Sequence, residues 1–365
     1  MKRVVVLFID AFSHSYINSQ DTPFLFTQNV HSLTPVFGFK QLAAAFGTSN
    51  PLSAGFFVEY YFDPDGSPYR WSGIFPPALL SVMDIFRPAI NVTARHILTQ
   101  KVSLSRMIPL KMTRFFNKDS RAYPNKAPLI ELLSQNKFSH RLIFAPQVKS
   151  NIEAFYLLKE LYYANQLPQF LLIHFPSLDS TTHTLGIESP TVRELVRQVD
   201  QMIQEAVDML DNTFLIVFSD HGMLEVTGFI DVLDKIKGAG RLGKDFVVFL
   251  DSVMARFWIF HDSTFEIITQ ILASEPNGQL LSLENQKIWD RFGNLLFAAS
   301  PGYLIFPNYY DRKPPKAMHG YNVSLPSESP LNGILFTPNI PDLTLPHRLA
   351  MPDLYPILKQ AIESL

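Results

Sequence analysis

The chain has 365 residues, 47% of them hydrophobic, a formal net charge of −2 and no cysteine. That size and apolar share suit one large core elaborated by insertions rather than a string of small domains. The near-neutral charge announces no basic surface for nucleic acid, so no nucleic acid polymer is expected as a partner, and the missing thiols exclude disulfides and thiolate ligands. Any affinity for phosphate has to come from a local site.

The chain opens on MKRVVVLFIDAF, whose apolar run Val4–Ile9 is too short to span a membrane and stops at Asp10. With no leader pattern and no transmembrane segment in the sequence, the expectation is a cytoplasmic protein. Further continuous apolar runs at Ser32–Phe37, Arg141–Ala145, Phe170–Phe175 and Phe214–Phe218 suit strands covered on both faces. Lys126–Gln135 and Asn151–Leu167 read as helices between them. The clearest helix is Thr191–Leu210, where Val192, Leu195, Val196, Val199, Met202, Ile203, Ala206, Val207 and Leu210 mark one face and Thr191 with Glu194 forms a capping box. Alternating strands and helices of this kind predict an α/β fold, a doubly wound, mainly parallel sheet flanked by helices. Leu52–Asp119, rich in Phe, Tyr, Pro and Met, and Leu233–Ala299, with paired short strands in DFVVFLDS and ARFWIF, fit that pattern poorly. The expected organisation is a core of residues 1–50, 125–235 and 300–365, with cap insertions at 51–124 and 236–299.

In open parallel sheets the carboxyl ends of the strands line the ligand crevice. Asp10 closes the first predicted strand, HFPSLDSTTH follows Phe170–Phe175, and FSDHGM ends Phe214–Phe218. Three strands therefore deliver Asp10, Asp179, His183, Asp220 and His221 to one edge. Each has an ordinary reading alone: a helix-capping aspartate for Asp10 and Asp179, a surface histidine for His183, a turn for Asp220–His221–Gly222, and a loop histidine for His319 in KAMHGYN. Their joint placement favours a metal site. His174 reads as a hydrogen-bonded core histidine, and His261 with Asp262 as a turn.

The motifs LFIDAF, LDSTTHTLG, FSDHGM and MHGYN, in this order, resemble the alkaline phosphatase superfamily, in its type I phosphodiesterase and nucleotide pyrophosphatase branch. The resemblance covers roughly residues 1–50, 125–235 and the segment after 300. It implies an alkaline phosphatase-like fold and hydrolysis of a phosphodiester or pyrophosphate bond in a small phosphorylated substrate such as a nucleotide or nucleotide-sugar. It also implies two divalent metal ions, one held by Asp179, His183 and His319 and the other by Asp10, Asp220 and His221. Oxygen and imidazole ligands without sulfur suit Zn²⁺ or Mn²⁺ better than Mg²⁺ or Ca²⁺. A phosphomonoesterase or phosphomutase relative, or a catalytically impaired metal-dependent binding protein, is the alternative.

One position departs from the family pattern. Members place a nucleophile after the second strand, and in LTPVFGFKQLAAAFGTSNPLSAG the count back from Pro51 and the match of Ala43–Ala44 put Gly38 in that slot. Three readings stay open: water attacks directly, a local mismatch hides Thr34, Thr48 or Ser49 as the nucleophile, or the protein binds a phosphorylated ligand without turning it over. Lys40, at an expected helix start, is either a phosphate contact aided by free backbone N–H groups or a solvated lysine. Asn322 stands where relatives often carry Asp. The aromatic first insertion is a candidate lid, and Arg70, Arg87, Arg106 and Arg114 are candidates to meet a second phosphate.

Overall fold

The computed structural model describes residues 2–47, 57–76, 78–83, 85, 108–119, 127–210, 213–281, 291–322, 329–340, 345 and 348–365. Thr48, Ser49, Arg87 and Arg106 lie outside these residues. Two compact units are present: Met1–Ala54 with Tyr123–Val226 and Pro315–Leu365, and Gly55–Ala122 with Thr227–Pro314.

The first unit is built on a seven-stranded sheet in the order Leu349–Ala350, His31–Thr34, Gly333–Phe336, Thr213–Phe218, Arg3–Ile9, Phe170–Phe175, His140–Ile143. Gly333–Phe336 runs antiparallel to both its neighbours, and the other pairings are parallel. Helices cover both faces, which is why the strands read as unbroken apolar runs. Val5, Leu7 and Ile9 pack with Val192, Val196 and Ile203 of the helix Pro190–Met209 and with Leu158 of Asn151–Tyr163. Val4, Val6 and Phe8 point the other way, onto Leu129 and Leu133 of Pro128–Gln135 and Leu358 of Leu354–Glu363. Each such fully buried side chain contributes about 1.5–3 kcal/mol before ordering entropy is counted.

Local interactions move several predicted boundaries. The second strand ends at Thr34 rather than Phe37, because the Gln41 side chain bonds both the N–H and the carbonyl of Val36. The Thr191/Glu194 capping box does not form: Ser189 is the N-cap, Pro190 opens the helix with its φ already suited, and Glu194 instead accepts from Arg197 and Gln198. The helix from Asn151 stops at Tyr163, before the left-handed Asn165, and its cap is Ser150, which accepts from the Glu153 N–H.

The second unit contains a four-stranded antiparallel sheet, Phe246–Leu250, Met254–Ile259, Leu295–Ala299 and Gly278–Leu281 in spatial order, with the helix Asp262–Ala273. Its core is aromatic: Phe62 stacks on Trp258 at 5.2 Å, and Phe116 meets Phe249 edge-on at 4.9 Å. Gly228–Ile230 pairs with Tyr303–Ile305. That ladder draws both segments into the second unit, so the sheet-bearing unit resumes at Pro315 and not near residue 300.

Candidate metal centre

Asp10 follows the last residue of its strand and still extends the ladder, its N–H donating to the Phe175 carbonyl at 3.1 Å. The chain then turns sharply through Ala11 at φ 62°, a left-handed conformation that L-residues disfavour. Phe12 N–H donates to Ser219 Oγ at 2.8 Å, tying this turn to the end of the adjacent strand. There Ser219 Oγ donates to the His221 carbonyl, and Gly222 follows because a Cβ would collide with the Pro330 carbonyl oxygen. Asp179 and His183 stand one turn apart on the helix Ser177–Leu185, directly after Phe175. His319 follows the short strand Ala317–Met318, which pairs with Leu224–Glu225. His183 grips that strand twice: its carbonyl accepts from Lys316 N–H at 2.8 Å, and its Nδ1 lies 2.8 Å from the Ala317 carbonyl.

These six side chains converge. His183 Nε2 is 3.2 Å and His319 Nε2 3.8 Å from Asp179 Oδ1, while His221 Nε2 is 3.6 Å from both Asp10 Oδ1 and Asp220 Oδ2. The His221 and His319 rings stack at 3.7 Å. Nδ1 of His183 and of His221 each faces a carbonyl, Ala317 and Gly222, so Nδ1 carries the proton and the Nε2 lone pair points to the carboxylates. Asp179 Oδ1, Asp220 Oδ1 and His319 Nδ1 are buried without a well-formed hydrogen bond.

This donor set fits cations. Most of the imidazole-to-carboxylate separations exceed a good hydrogen bond. Two donors on one tetrahedral Zn²⁺, each about 2.0–2.1 Å from the ion, stand roughly 3.3 Å apart. Among the described residues, Asp179, His183 and His319 form one group with ligand atoms within 4.8 Å of one another, and Asp10, Asp179 and His221 form a second. Asp179 thus stands in both groups, and Asp220 adjoins through His221. The electrostatics agree. Burial, with Asp10 and Asp179 adding to it, pushes Asp220 up to about 7 against the pull of His221. Burial favours neutral His221, yet Asp220, Asp10 and Asp179 raise it. His319 is held well below the ordinary imidazole range by burial and by His221, and Asp179 is lowered because three imidazoles outweigh its burial.

The Gly38 turn lies beside this cluster. Gly38 has φ 90°, its N–H donates to the Gly320 carbonyl at 3.2 Å, and the next ring, Phe39, meets His319 edge-on at 5.5 Å. Thr34 belongs to the sheet, paired with Ala350. Lys40 is the N-cap residue of Gln41–Ala45, a helix of five residues, too short for the helix-start phosphate site the sequence suggested. Arg70 and Arg114 fall in the second unit, where Arg114 lies over the Phe115 ring. His261 precedes the helix Asp262–Ala273, facing Asp245 at 3.8 Å. One further contact at the centre belongs to none of the motifs: His174 Nε2 is 2.9 Å from Asp10 Oδ2. The available signal was a histidine where Phe170 and Leu172 predict an apolar face.

Residues 118–322 match the family described as type I phosphodiesterase / nucleotide pyrophosphatase. GPI ethanolamine phosphate transferase 3 of Schizosaccharomyces pombe is 43% identical over 54 residues, 14% of this chain and 6% of that protein. Human ectonucleotide pyrophosphatase/phosphodiesterase family member 7 is 35% identical over 127 residues, 32% of this chain and 23% of that protein. The matched stretches therefore span well under two thirds of these relatives. Murine ectonucleotide pyrophosphatase / phosphodiesterase 5, solved in an inactive form in complex with AMP, superimposes with TM-score 0.69 at 17% identity, covering 100% of this chain and 95% of that chain. The human counterpart gives 0.67 at 15% identity, with 99% and 95% covered. At these identities the likeness is one of fold.

Proposed function

We propose that this chain, which belongs to the type I phosphodiesterase / nucleotide pyrophosphatase family, is a two-metal-dependent hydrolase of phosphodiester or pyrophosphate bonds. The observation that carries the reading is the buried set of carboxylate oxygens and imidazole nitrogens with unshared lone pairs at one end of the sheet. Asp179, His183 and His319 would hold one ion, and Asp10, Asp220 and His221 the other. We infer Zn²⁺, with Mn²⁺ as the alternative, from the mixture of oxygen and imidazole donors. When bound, the ions supply positive charge for a phosphoryl oxygen and acidify an attacking group.

The chain's own residues prepare the site. The Ala317 and Gly222 carbonyls fix the tautomers of His183 and His221, so neither imidazole has to reorganise to offer Nε2. Burial of Asp220 and His221 strengthens every charge interaction there. The Gly38 turn brings no hydroxyl to His319, so attack is assigned to water and not to a side chain of this turn. The substrate class is a small nucleotide-like phosphate ester, in keeping with the AMP bound by the murine neighbour.

Gly38 also favours a second reading, in which the centre binds such an ester without turning it over. Rates with bis-p-nitrophenyl phosphate and p-nitrophenyl phosphate, each with added Zn²⁺ or Mn²⁺, decide between them. The hydrolase reading expects turnover with preference for the diester. No hydrolysis of either compound or of a nucleotide-sugar panel, with AMP binding retained, selects the binding protein.

A further inference from the structure

His174 occupies a position where the sheet otherwise presents hydrocarbon. Phe170, Leu172 and His174 share one face of their strand, and the first two are fully buried in the core with Val4, Val6 and Phe8. In the parallel register Phe8 stands opposite both His174 and Phe218, and its ring is stacked between theirs at 4.7 and 4.9 Å. Phe144 closes a further side of the imidazole at 5.9 Å. The ring is thus fixed by aromatic contacts across three neighbouring strands, with only 9% of the residue exposed.

Both ring nitrogens are used. Ala145 N–H approaches Nδ1 at 3.5 Å, which makes Nδ1 the acceptor and leaves the proton on Nε2, 2.9 Å from Asp10 Oδ2. The two Asp10 oxygens therefore have different surroundings: Oδ2 accepts from His174, and Oδ1 faces His221 Nε2 at 3.6 Å, within the ligand group of Asp10, Asp179 and His221. A carboxylate just before the left-handed Ala11 and set near Asp179 and Asp220 has every electrostatic reason to turn away from them. The bond from His174 opposes that rotation.

We infer that His174 is a positioning residue, which holds the Asp10 carboxylate by one oxygen so that the other is presented to a metal ion. This rests on the two-metal reading above. Outer partners of metal ligands typically change affinity by about 10- to 100-fold, and the inference places His174 in that role through a carboxylate ligand.

The test is Zn²⁺ binding by the full chain, stripped with chelator and titrated in competition with a chromophoric chelator, beside the thermal midpoint of the metal-free protein. His174→Phe keeps a ring against Phe8 and Phe144 and removes the donor; His174→Gln restores an N–H near the former Nε2. The inference expects wild type to bind two equivalents. The Phe variant should bind one of them about 10- to 100-fold more weakly with little change in metal-free thermal midpoint, and the Gln variant should recover most of that loss. Should the Phe variant fail to fold, His174→Asn, too short to reach Oδ2, is compared with His174→Gln instead. Equal affinities in wild type and the donor-less variant overturn the positioning role while leaving the metal reading intact. Equal weakness of the Gln and donor-less variants overturns it too, because packing would then be the cause. A wild type that binds no Zn²⁺ overturns the metal reading itself.

Discussion

The end of the seven-stranded sheet and the interior of the second unit both bury an aspartate, and they neutralise it by different means. In the second unit Asp251 and Arg256 are fully buried and joined by a 2.8 Å ion pair from Nε to Oδ2. Arg256 also donates to the Tyr60 carbonyl and lies over the Phe249 ring. The counter-charge is part of the chain. At the sheet end the ion-pair partners of Asp10, Asp179 and Asp220 among the described residues are imidazoles alone, and two carboxylate oxygens have no well-formed hydrogen bond. Asp251 Oδ1 and Arg256 Nη2 are also buried without a hydrogen bond, so what separates the two sites is the counter-charge: an arginine of the chain stands beside Asp251, and only imidazoles stand beside the three carboxylates of the sheet end.

The largest effect that can break this contrast is loss of the centre. Asp220→Ala with His221→Ala should remove one equivalent of metal and reduce diester hydrolysis to background, with far-UV circular dichroism unchanged; metal analysis showing undiminished content would refute the ligand assignment. Stability measurements sharpen it next. Asp251→Asn strands a buried guanidinium and should destabilise by about 3–5 kcal/mol in denaturant unfolding, with metal stoichiometry unaltered. Asp220→Asn should do the reverse at pH 8, raising the thermal midpoint of metal-free protein while weakening the stabilisation that Zn²⁺ provides. A fall in both variants would show the two sites to be alike.

A smaller effect concerns pH. In the metal-free chain Asp220 is raised by burial to about 7 from 3.8, and His221 is raised from 6.5 by the carboxylates around it. Both then hold protons that the unfolded chain has released, so their contribution to stability declines as pH rises, for Asp220 from 3.8 to about 7 and for His221 beyond 6.5. The lowered His319 has the opposite sign, but its effect is felt below 6.5. Between pH 6.5 and 8 the metal-free protein should therefore lose thermal stability, and Zn²⁺ affinity should rise by about tenfold per pH unit for each proton displaced. Flat affinity across this range would remove the protonated carboxyl from the account. The smallest expected effect is at Ala11, where φ is 62°. Ala11→Gly relieves left-handed strain, partly offset by a freer unfolded chain, for a gain of about 0.5 kcal/mol in denaturant unfolding.

Much of the sheet was legible because burial on both faces leaves continuous apolar runs, as at Val4–Ile9 and Phe170–Phe175. The six polar residues of the centre could be located because each follows a strand or sits in a short motif. Boundaries were less legible where a single side chain sets them, as Gln41 does for Val36 and Pro190 for the long helix. His174 is the instructive case. Its histidine identity and its place on an apolar face were both visible, but the partner that gives it meaning is 164 positions away in sequence.

By itself the sequence determined the alternation of strands and helices and the chemistry delivered to the strand ends, since periodicity and residue type are local properties. The resemblance to the family put Gly38 in the nucleophile slot and left open whether Thr34, Thr48 or Ser49 serves instead. Only the tertiary structure decided that Asp179 stands in both ligand groups, that Gly38 lies against His319–Gly320, that Tyr303–Ile305 joins the second unit, and that His174 grips Asp10. The physical reason is that hydrogen bonds and repulsion between charges act over a few ångströms of space, and folding sets those distances independently of separation along the chain.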